Sequence, residues 1–369
     1  MAAGTPPLVI GLMSGTSLDG VDAVLGDFSH TIPKTLGHVQ LGFDPELREE
    51  LLALNEPGPN ELERAALAAN RLAEHYTQAV KELLAQTGLR PDQIAAIGAH
   101  GQTVRHRPEL GYTLQLNNPA LLAERTGIRV VADFRSRDLA AGGQGAPLVP
   151  AFHAAVFSHA EKHRVIVNIG GIANLTDLPP GGNVTGFDCG PGNLLMDAWC
   201  QRHTGQPYDV GGSWAASGTP LPQLLAGLLD DPFFRAPPPK STGRDHFNLA
   251  WLEAQLSAAF APQDVQATLL RLTAQAIHDA VQRHMAGAEE IWLCGGGARN
   301  TALVNTLRHA FAASATPVAL TDALGVAAEW VEALAFAWLA WRTLHGAPGN
   351  LPAVTGATHP CVLGAIYPR

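Results

Sequence analysis

The chain contains the same short pattern twice. Leu8-Val9-Ile10-Gly11-Leu12-Met13 is an apolar run that ends in Ser14-Gly15-Thr16-Ser17-Leu18-Asp19-Gly20, and a second apolar run, Val21 to Leu25, follows. Half a chain later Arg164-Val165-Ile166-Val167 leads into Asn168-Ile169-Gly170-Gly171-Ile172-Ala173-Asn174, then Leu175 to Leu178. Each reads as two strands joined by a glycine-rich polar turn, a β-hairpin with a polar tip. Two such hairpins predict a duplicated α/β fold with nucleotide clamped between the halves. A length of 369 residues, too long for one ordinary core, points the same way.

At the first tip, glycines and hydroxyl residues let backbone N–H groups close on an anion without obstruction. Asp19 and Asp22 are available there to a metal or its waters. The plain alternative is an ordinary hairpin, although a tight turn needs only one Gly and one Asp. A third glycine cluster, Gly295-Gly296-Gly297, follows the apolar run Ile291 to Cys294 and would let a flat ring such as adenine lie against the backbone.

Between these markers, strands alternate with helices, as in an α/β chain. Asn60 is expected to cap a helix that carries Leu72, Tyr76, Val80 and Leu83 on one face and stops at Gly88. Strands are expected at Ile94 to Ala99, Tyr112 to Leu116 and Val130 to Ala132, with helices at Pro119 to Thr126, Leu194 to Cys200 and Val265 to His284. The glycine-rich loop Ala141 to Pro147 is the expected domain crossing. It divides an N-terminal domain, 1–140, from a C-terminal one, 141–349, with residues 350–369 packing back on the first.

Charge and cysteine content narrow the function classes. The 24 Lys+Arg against 33 Asp+Glu give −9, which argues against a nucleic-acid-binding surface. Cys189, Cys200, Cys294 and Cys361 form no CxxC pair and suit a reduced compartment better than a disulfide framework or a zinc site. The first residues lack the features of a signal peptide, and the longest lipophilic stretch, Ala333 to Trp341, is far short of a membrane span. A soluble cytoplasmic protein is the expectation. No GxxxxGK[ST] and no strand-following GxGxxG occur, which excludes P-loop and Rossmann sites.

Asp188 is the carboxylate that stands out. It ends an apolar stretch and precedes Gly190-Pro191-Gly192-Asn193, at an expected strand-to-helix bend. There it either takes a proton from an attacking hydroxyl or water, or caps the following helix, a position Asn193 already fits. Glu332, within Val331-Glu332-Ala333-Leu334, either points to water or reaches a polar ligand. Asp133 and Arg135, at a strand end, either grip a substrate or form a surface ion pair. His100, beside Gly101-Gln102, reads as a polar cleft wall; His100 and His106 are too poorly spaced for a metal pair. Lys240 to Arg244 is either a basic loop near phosphate or a solvated linker.

Taken together, these residues resemble the anhydro-N-acetylmuramic acid kinase family. The likeness lies in Gly11 to Asp22, His100 to Thr103, Ala132 to Arg135, Ala141 to Pro150, Asn168 to Thr176, Phe187 to Asn193, Lys240 to Arg244, Glu332 to Ala337 and Gly349 to Ala357. It covers essentially the whole chain in order. It implies the two-domain fold shared by sugar kinases, actin and heat-shock chaperone ATPases, with duplicated mixed β-sheets, flanking helices and an interdomain cleft. The implied reaction is paired: water opens the anhydro bridge of 1,6-anhydro-N-acetylmuramic acid, while the freed 6-oxygen takes the γ-phosphoryl of ATP. The product is N-acetylmuramic acid 6-phosphate, in cell-wall recycling.

By the same resemblance Asp188 is the base on the water. Gly15, Thr16, Ser17, Leu18, Asp19, Gly20, Val21 and Asp22 hold the ATP phosphates. Asn168, Gly170, Gly171 and Gly190 join them, with Gly295, Gly296 and Gly297 on the adenosine side. Mg²⁺ bridges the phosphates, with Asp19 the candidate protein ligand and no other direct ligation implied. His100, Gln102, Asp133, Arg135 and Glu332 are the implied sugar contacts, and a homodimer is implied too. Two departures stand out: Cys189 where the family has threonine, and Gly325-Val326-Ala327-Ala328 without the prolines of that loop.

Three rival readings remain on the residues alone. An ordinary sugar or carboxylate kinase would use Asp188 on a substrate hydroxyl. A non-enzymatic ATP-dependent scaffold would hydrolyse ATP slowly and bind a polymer or peptide. A metal-free glycosidase pairing Asp188 with Glu332 would leave both phosphate hairpins without purpose.

Overall fold

The strongest β-forming runs become the central strands of two sheets. In the computed structural model, which describes residues 7–15, 18–244, 246–257 and 259–369, the strands are, in chain order, β1 Leu8–Met13, β2 Gly20–Asp27, β3 Lys34–Gly42, β4 Ala96–Ala99, β5 Gln102–Arg107, β6 Tyr112–Leu116 and β7 Val130–Ala132. They continue with β8 Arg164–Ile169, β9 Ile172–Leu178, β10 Thr185–Pro191, β11 Glu290–Cys294, β12 Val318–Leu320 and β13 Ala365–Tyr367. The chain forms two compact units, one of Met1–Val156 with Trp330–Arg369, the other of Phe157–Glu329.

The two units repeat one sheet order. The first reads β13-β7-β4-β1-β2-β3, the second β10-β9-β8-β11-β12. In each, three strands form an antiparallel meander, β1-β2-β3 or β8-β9-β10. Two further strands add in parallel beside the first, β4 and β7 or β11 and β12. β13 extends the first sheet antiparallel to β7. The duplication expected from the two hairpins is thus present at the level of topology.

In the first unit, helix Glu61–Thr87 lays Leu72, Tyr76, Val80 and Leu83, all fully buried, with Ile10 and Leu12 in one core. It ends at Gly88 in the left-handed region, where glycine carries no Cβ penalty. Asn60 does precede this helix, but its side chain makes no cap bond and its own φ is +51°. The opposite face of the sheet carries helix Val331–Leu344, over Gly11 and Gly98, which are partners in register. A Cβ at Gly11 would lie 1.8 Å from the Ala333 carbonyl oxygen, and one at Gly98 2.1 Å from that of Phe336. This helix is therefore apolar because its backbone rests on the sheet, and Ala333 to Trp341 serves the core of its own unit.

That packing moves the boundary between units. The division expected at 140/141 falls at 156/157, and the return to the first unit begins at Trp330, earlier than the expected 350. The loop read as a crossing is instead knotted to the C-terminal segment of the same unit. Gln144 N–H donates to the Thr355 carbonyl (2.7 Å) and Thr358 N–H to that of Ala141 (2.9 Å).

Candidate functional site

In the second unit the β8–β9 hairpin aligns a polar row across four strands. Cys294, Asn168, Asn174 and Asp188 are successive register partners on β11, β8, β9 and β10. Directly opposed residues share a face of a sheet, so these four side chains stand together. The Cys294 thiol lies 3.7 Å from Asn168 Oδ1.

Glycines bring the surrounding loops onto this row. Gly192 N–H donates to the Gly171 carbonyl (2.9 Å) and Asn193 N–H to that of Gly170 (2.8 Å). A Cβ at Gly192 would lie 2.2 Å from the Gly170 oxygen. Gly295, at φ +82°, has room for no Cβ because Asn168 Oδ1 would be 2.5 Å away, and Gly297 is closed by Ile169 Cγ2 at 2.3 Å. Gly296 is more open, its nearest neighbour being Asn193 Nδ2 at 3.9 Å. Gly170 and Gly171, Gly190 to Asn193, and Gly295 to Gly297 therefore converge inside one unit. Asn193 is not the expected side-chain cap: its Nδ2 turns back to donate to the Ile169 carbonyl (3.3 Å), and helix Leu194–Thr204 has no capping side chain.

Asp188 is half-buried beside a β-bulge that separates it from Gly190, itself at φ +146°. Its carboxylate accepts from Thr242 N–H (3.0 Å), and its own N–H donates to the Lys240 carbonyl (3.1 Å). The segment Lys240 to Arg244 is thus docked along the edge of β10. Its backbone is paired to the strand, unlike that of a solvated linker. Lys240 Nζ donates to the Phe233 carbonyl (2.8 Å) and sits 4.5 Å over the Phe233 ring. Burial pulls the Lys240 ammonium below its ordinary pKa. Cys189 is buried, its thiol pushed up mainly by burial, and it points its S–H at the Ala173 carbonyl (3.3 Å).

In the first unit a second polar cluster gathers His100, Gln102 and Arg135. Arg135 directs Nε (3.3 Å) and a terminal nitrogen (2.8 Å) to His100 Nε2, and its other terminal nitrogen donates to the Gly145 carbonyl (2.8 Å). Burial first, then the Arg135 charge, lowers the His100 pKa to about 3. His100 is consequently neutral, with Nε2 the acceptor. Gln102 Nε2 donates to the Gly15 carbonyl (3.2 Å), tying the cluster to the first hairpin. Asp133, exposed at φ +59°, accepts from Ser136 Oγ (2.5 Å) rather than pairing with Arg135. Glu332 is half-buried on the first turn of its helix. His106 bonds Thr113 Oγ1 (3.1 Å).

The first hairpin tip is anchored from below. Leu18, at φ +56°, is buried among Leu47, Leu51, Leu54, Ala68 and Val104, and Val21 is buried in the main core, so both offer only main-chain atoms. Gly20 is required by strand pairing: a Cβ there would meet the Leu41 oxygen at 2.3 Å. Ser14 Oγ shares a hydrogen bond with Tyr76 Oη (2.9 Å) and donates to the Gly101 carbonyl (3.2 Å). Asp22 sits 3.2 Å from His38 Nε2, and the His38 ring stacks on Trp330 at 5.0 Å. Asp19 is exposed, and Thr16 and Ser17 lie outside the described residues. Sequence reasoning missed Tyr76 and His38, whose only signals were an apolar-face position and a place opposite the hairpin.

An anhydro-N-acetylmuramic acid kinase family model matches residues 7–369. The chain belongs to this family. A relative named as an anhydro-N-acetylmuramic acid kinase in Nitrosospira multiformis is 58% identical over 361 residues, covering 97% of this chain and 98% of its own. Relatives of the same name in Nitrosomonas europaea and Bordetella pertussis are 57% and 59% identical, each covering at least 97% of this chain and 96% of its own.

Cys189 and the proline-poor loop before Glu329 each have local partners. The Cys189 thiol supplies a donor to Ala173 where a threonine hydroxyl would do the same. The proline-poor loop is held by Asp322, which accepts from Ala328 N–H (3.1 Å), while the Ala328 carbonyl accepts from Gly295 N–H (2.8 Å).

Proposed function

We propose that the chain is an ATP-dependent kinase that converts 1,6-anhydro-N-acetylmuramic acid to N-acetylmuramic acid 6-phosphate, in recycling of cell-wall sugar. The observation that carries this is family membership over residues 7–369, with relatives of that name at 57–59% identity.

Residue roles follow from the chemistry. Asp188 accepts a proton from water as the water oxygen bonds the anomeric carbon. The bond from that carbon to the bridging oxygen breaks, and this oxygen, now O6, bonds the γ-phosphorus as ADP leaves. No separate acid is needed at the leaving oxygen, because phosphorus takes it. The Thr242 N–H bond fixes the orientation of the Asp188 carboxylate. His100, Gln102, Asp133, Arg135 and Glu332 bind the sugar, the Arg135 guanidinium suiting the lactyl carboxylate. Backbone amides of the two glycine-rich turns receive phosphate oxygens, where transition-state charge collects.

Among the described residues no group of three or more His, Cys, Asp or Glu side chains stands ready to hold a metal. Mg²⁺ keeps substrate phosphates and waters and takes one or two protein carboxylates; Asp19, exposed at the first hairpin tip, would supply one. When bound, Mg²⁺ neutralises charge on the nucleotide phosphates. No helix among the described residues is long and apolar enough to cross a membrane. A cytoplasmic homodimer completes the proposal.

The test is ADP release with Mg²⁺–ATP, comparing the anhydro sugar with free N-acetylmuramic acid. Turnover confined to the anhydro sugar and giving the 6-phosphate is expected. Equal turnover of the open sugar would make the protein an ordinary sugar kinase.

A further inference from the structure

Asp138 is fully buried, and no cation pairs with it among the described residues. Its carboxyl oxygens meet neutral donors. Oδ1 accepts from Asn350 Nδ2 (2.6 Å) and Thr355 Oγ1 (2.8 Å), and Oδ2 accepts from Gly145 N–H (2.8 Å). A buried carboxyl group is costly to leave without partners, and here three donors converge on it. Gly143 approaches so closely that a Cβ there would lie 2.2 Å from Oδ2.

Gly145 carries the effect onward. Held by Asp138 through its N–H and set in the left-handed region at φ +68°, it turns its carbonyl to Arg135 (2.8 Å). Arg135 then reaches His100 Nε2 with its opposite edge. An unbroken path of hydrogen bonds thus runs from residues 350–355, through Asp138 and Gly145, to the Arg135 guanidinium.

We propose that Asp138 is a positioning residue that aims Arg135 at the sugar, and that the C-terminal segment bearing Asn350 and Thr355 is part of the sugar site's support. This rests on the reading of Arg135 as a sugar contact. A guanidinium reads a carboxylate by two parallel bonds in a fixed plane, so a small tilt costs binding although every side chain is present.

The experiment is a double-mutant cycle in the full-length protein with Asp138→Asn, Gly143→Ala and Arg135→Lys. Its readouts are KM for anhydro sugar, KM for ATP, calorimetric binding of the sugar without ATP, and the thermal midpoint. Gly143→Ala presses on the carboxylate without removing it and keeps the test alive should Asp138→Asn fail to fold. Each Asp138-directed variant is expected to weaken sugar binding about tenfold, as for one misdirected charge-assisted bond. KM for ATP should be unchanged, and neither variant should add to Arg135→Lys. Folded variants with unchanged sugar binding, beside an Arg135→Lys that weakens it, would overturn the positioning role alone. An Arg135→Lys that leaves sugar binding unchanged would overturn both the role and the reading of Arg135 beneath it. Equal losses for sugar and ATP would reduce Asp138 to a general structural part and also overturn the proposal.

Discussion

The Thr242 amide donates to the Asp188 carboxylate at 3.0 Å, across more than fifty residues of chain. A proposed base at a strand edge is thereby oriented by a segment whose own backbone is paired to the same strand. Substituting Asp188→Asn keeps the shape and the acceptor for Thr242 but removes the proton acceptor. Turnover of the anhydro sugar should fall by roughly a hundredfold or more, with KM for ATP unchanged, in a coupled ADP assay. Activity within a few-fold of the parent would remove Asp188 from the mechanism.

Gly11 and Gly98 should tolerate no side chain. Alanine at either would force the 331–344 helix off the sheet, since the obstacles are carbonyl oxygens 1.8 and 2.1 Å away. A loss of about 3 kcal/mol or more is expected, at the upper end of overpacking costs, read from urea unfolding. A variant as stable as the parent would mean that the helix shifts freely.

Tyr76→Phe removes the phenol that meets Ser14 Oγ, a buried bond beneath the first hairpin tip. Stability should drop by about 1 kcal/mol, and KM for ATP should rise while KM for the sugar holds. Ser14→Ala added to Tyr76→Phe should cost less than the sum of the two, as for any directly bonded pair.

Acid should destabilise the protein through buried histidines. His100 and His153 have pKa values pushed down to about 3, and His106 to about 4, by burial in each case first. Above the unfolded pKa, near 6.5, both states are neutral and nothing is lost. Below it the unfolded chain takes up protons that the folded chain refuses, so stability falls steadily until the folded pKa is reached. Each histidine contributes up to about 1.4 kcal/mol per pH unit in that window. Urea midpoints between pH 7 and 5 should therefore decline, and His100→Gln should flatten the decline; an unaltered slope would contradict the assignment.

Cys189→Thr should leave activity intact, because a hydroxyl can donate to the Ala173 carbonyl as the thiol does. Cys189→Val, which cannot donate, should lower the melting temperature relative to the threonine variant.

Strand and helix positions were legible wherever one residue pattern served one local purpose. Pro119–Thr126 and Val130–Ala132 match their expected bounds because an N-terminal proline and a short β-branched run each specify their element locally. β5 was missed because Gln102 to Arg107 is polar and earns its strand only by pairing with β6. The domain boundary was misplaced for a related reason: glycines 142, 143 and 145 look like a linker, yet they exist to wrap a buried carboxylate. The strand-to-helix bend after Asp188 was legible from Gly190-Pro191-Gly192-Asn193. The alignment of Asp188 with Asn168 and Asn174 was not, since register across three strands is a tertiary fact.

Glycine partners under a helix also act as a fixed stop. Glu332 stands one residue before Ala333, whose carbonyl rests directly above Gly11. The height of the Glu332 Cα over β1 is therefore fixed by main chain touching main chain. A change of side chain elsewhere on that helix leaves this backbone stop in place. The depth of Glu332 is inherited with two missing methyl groups.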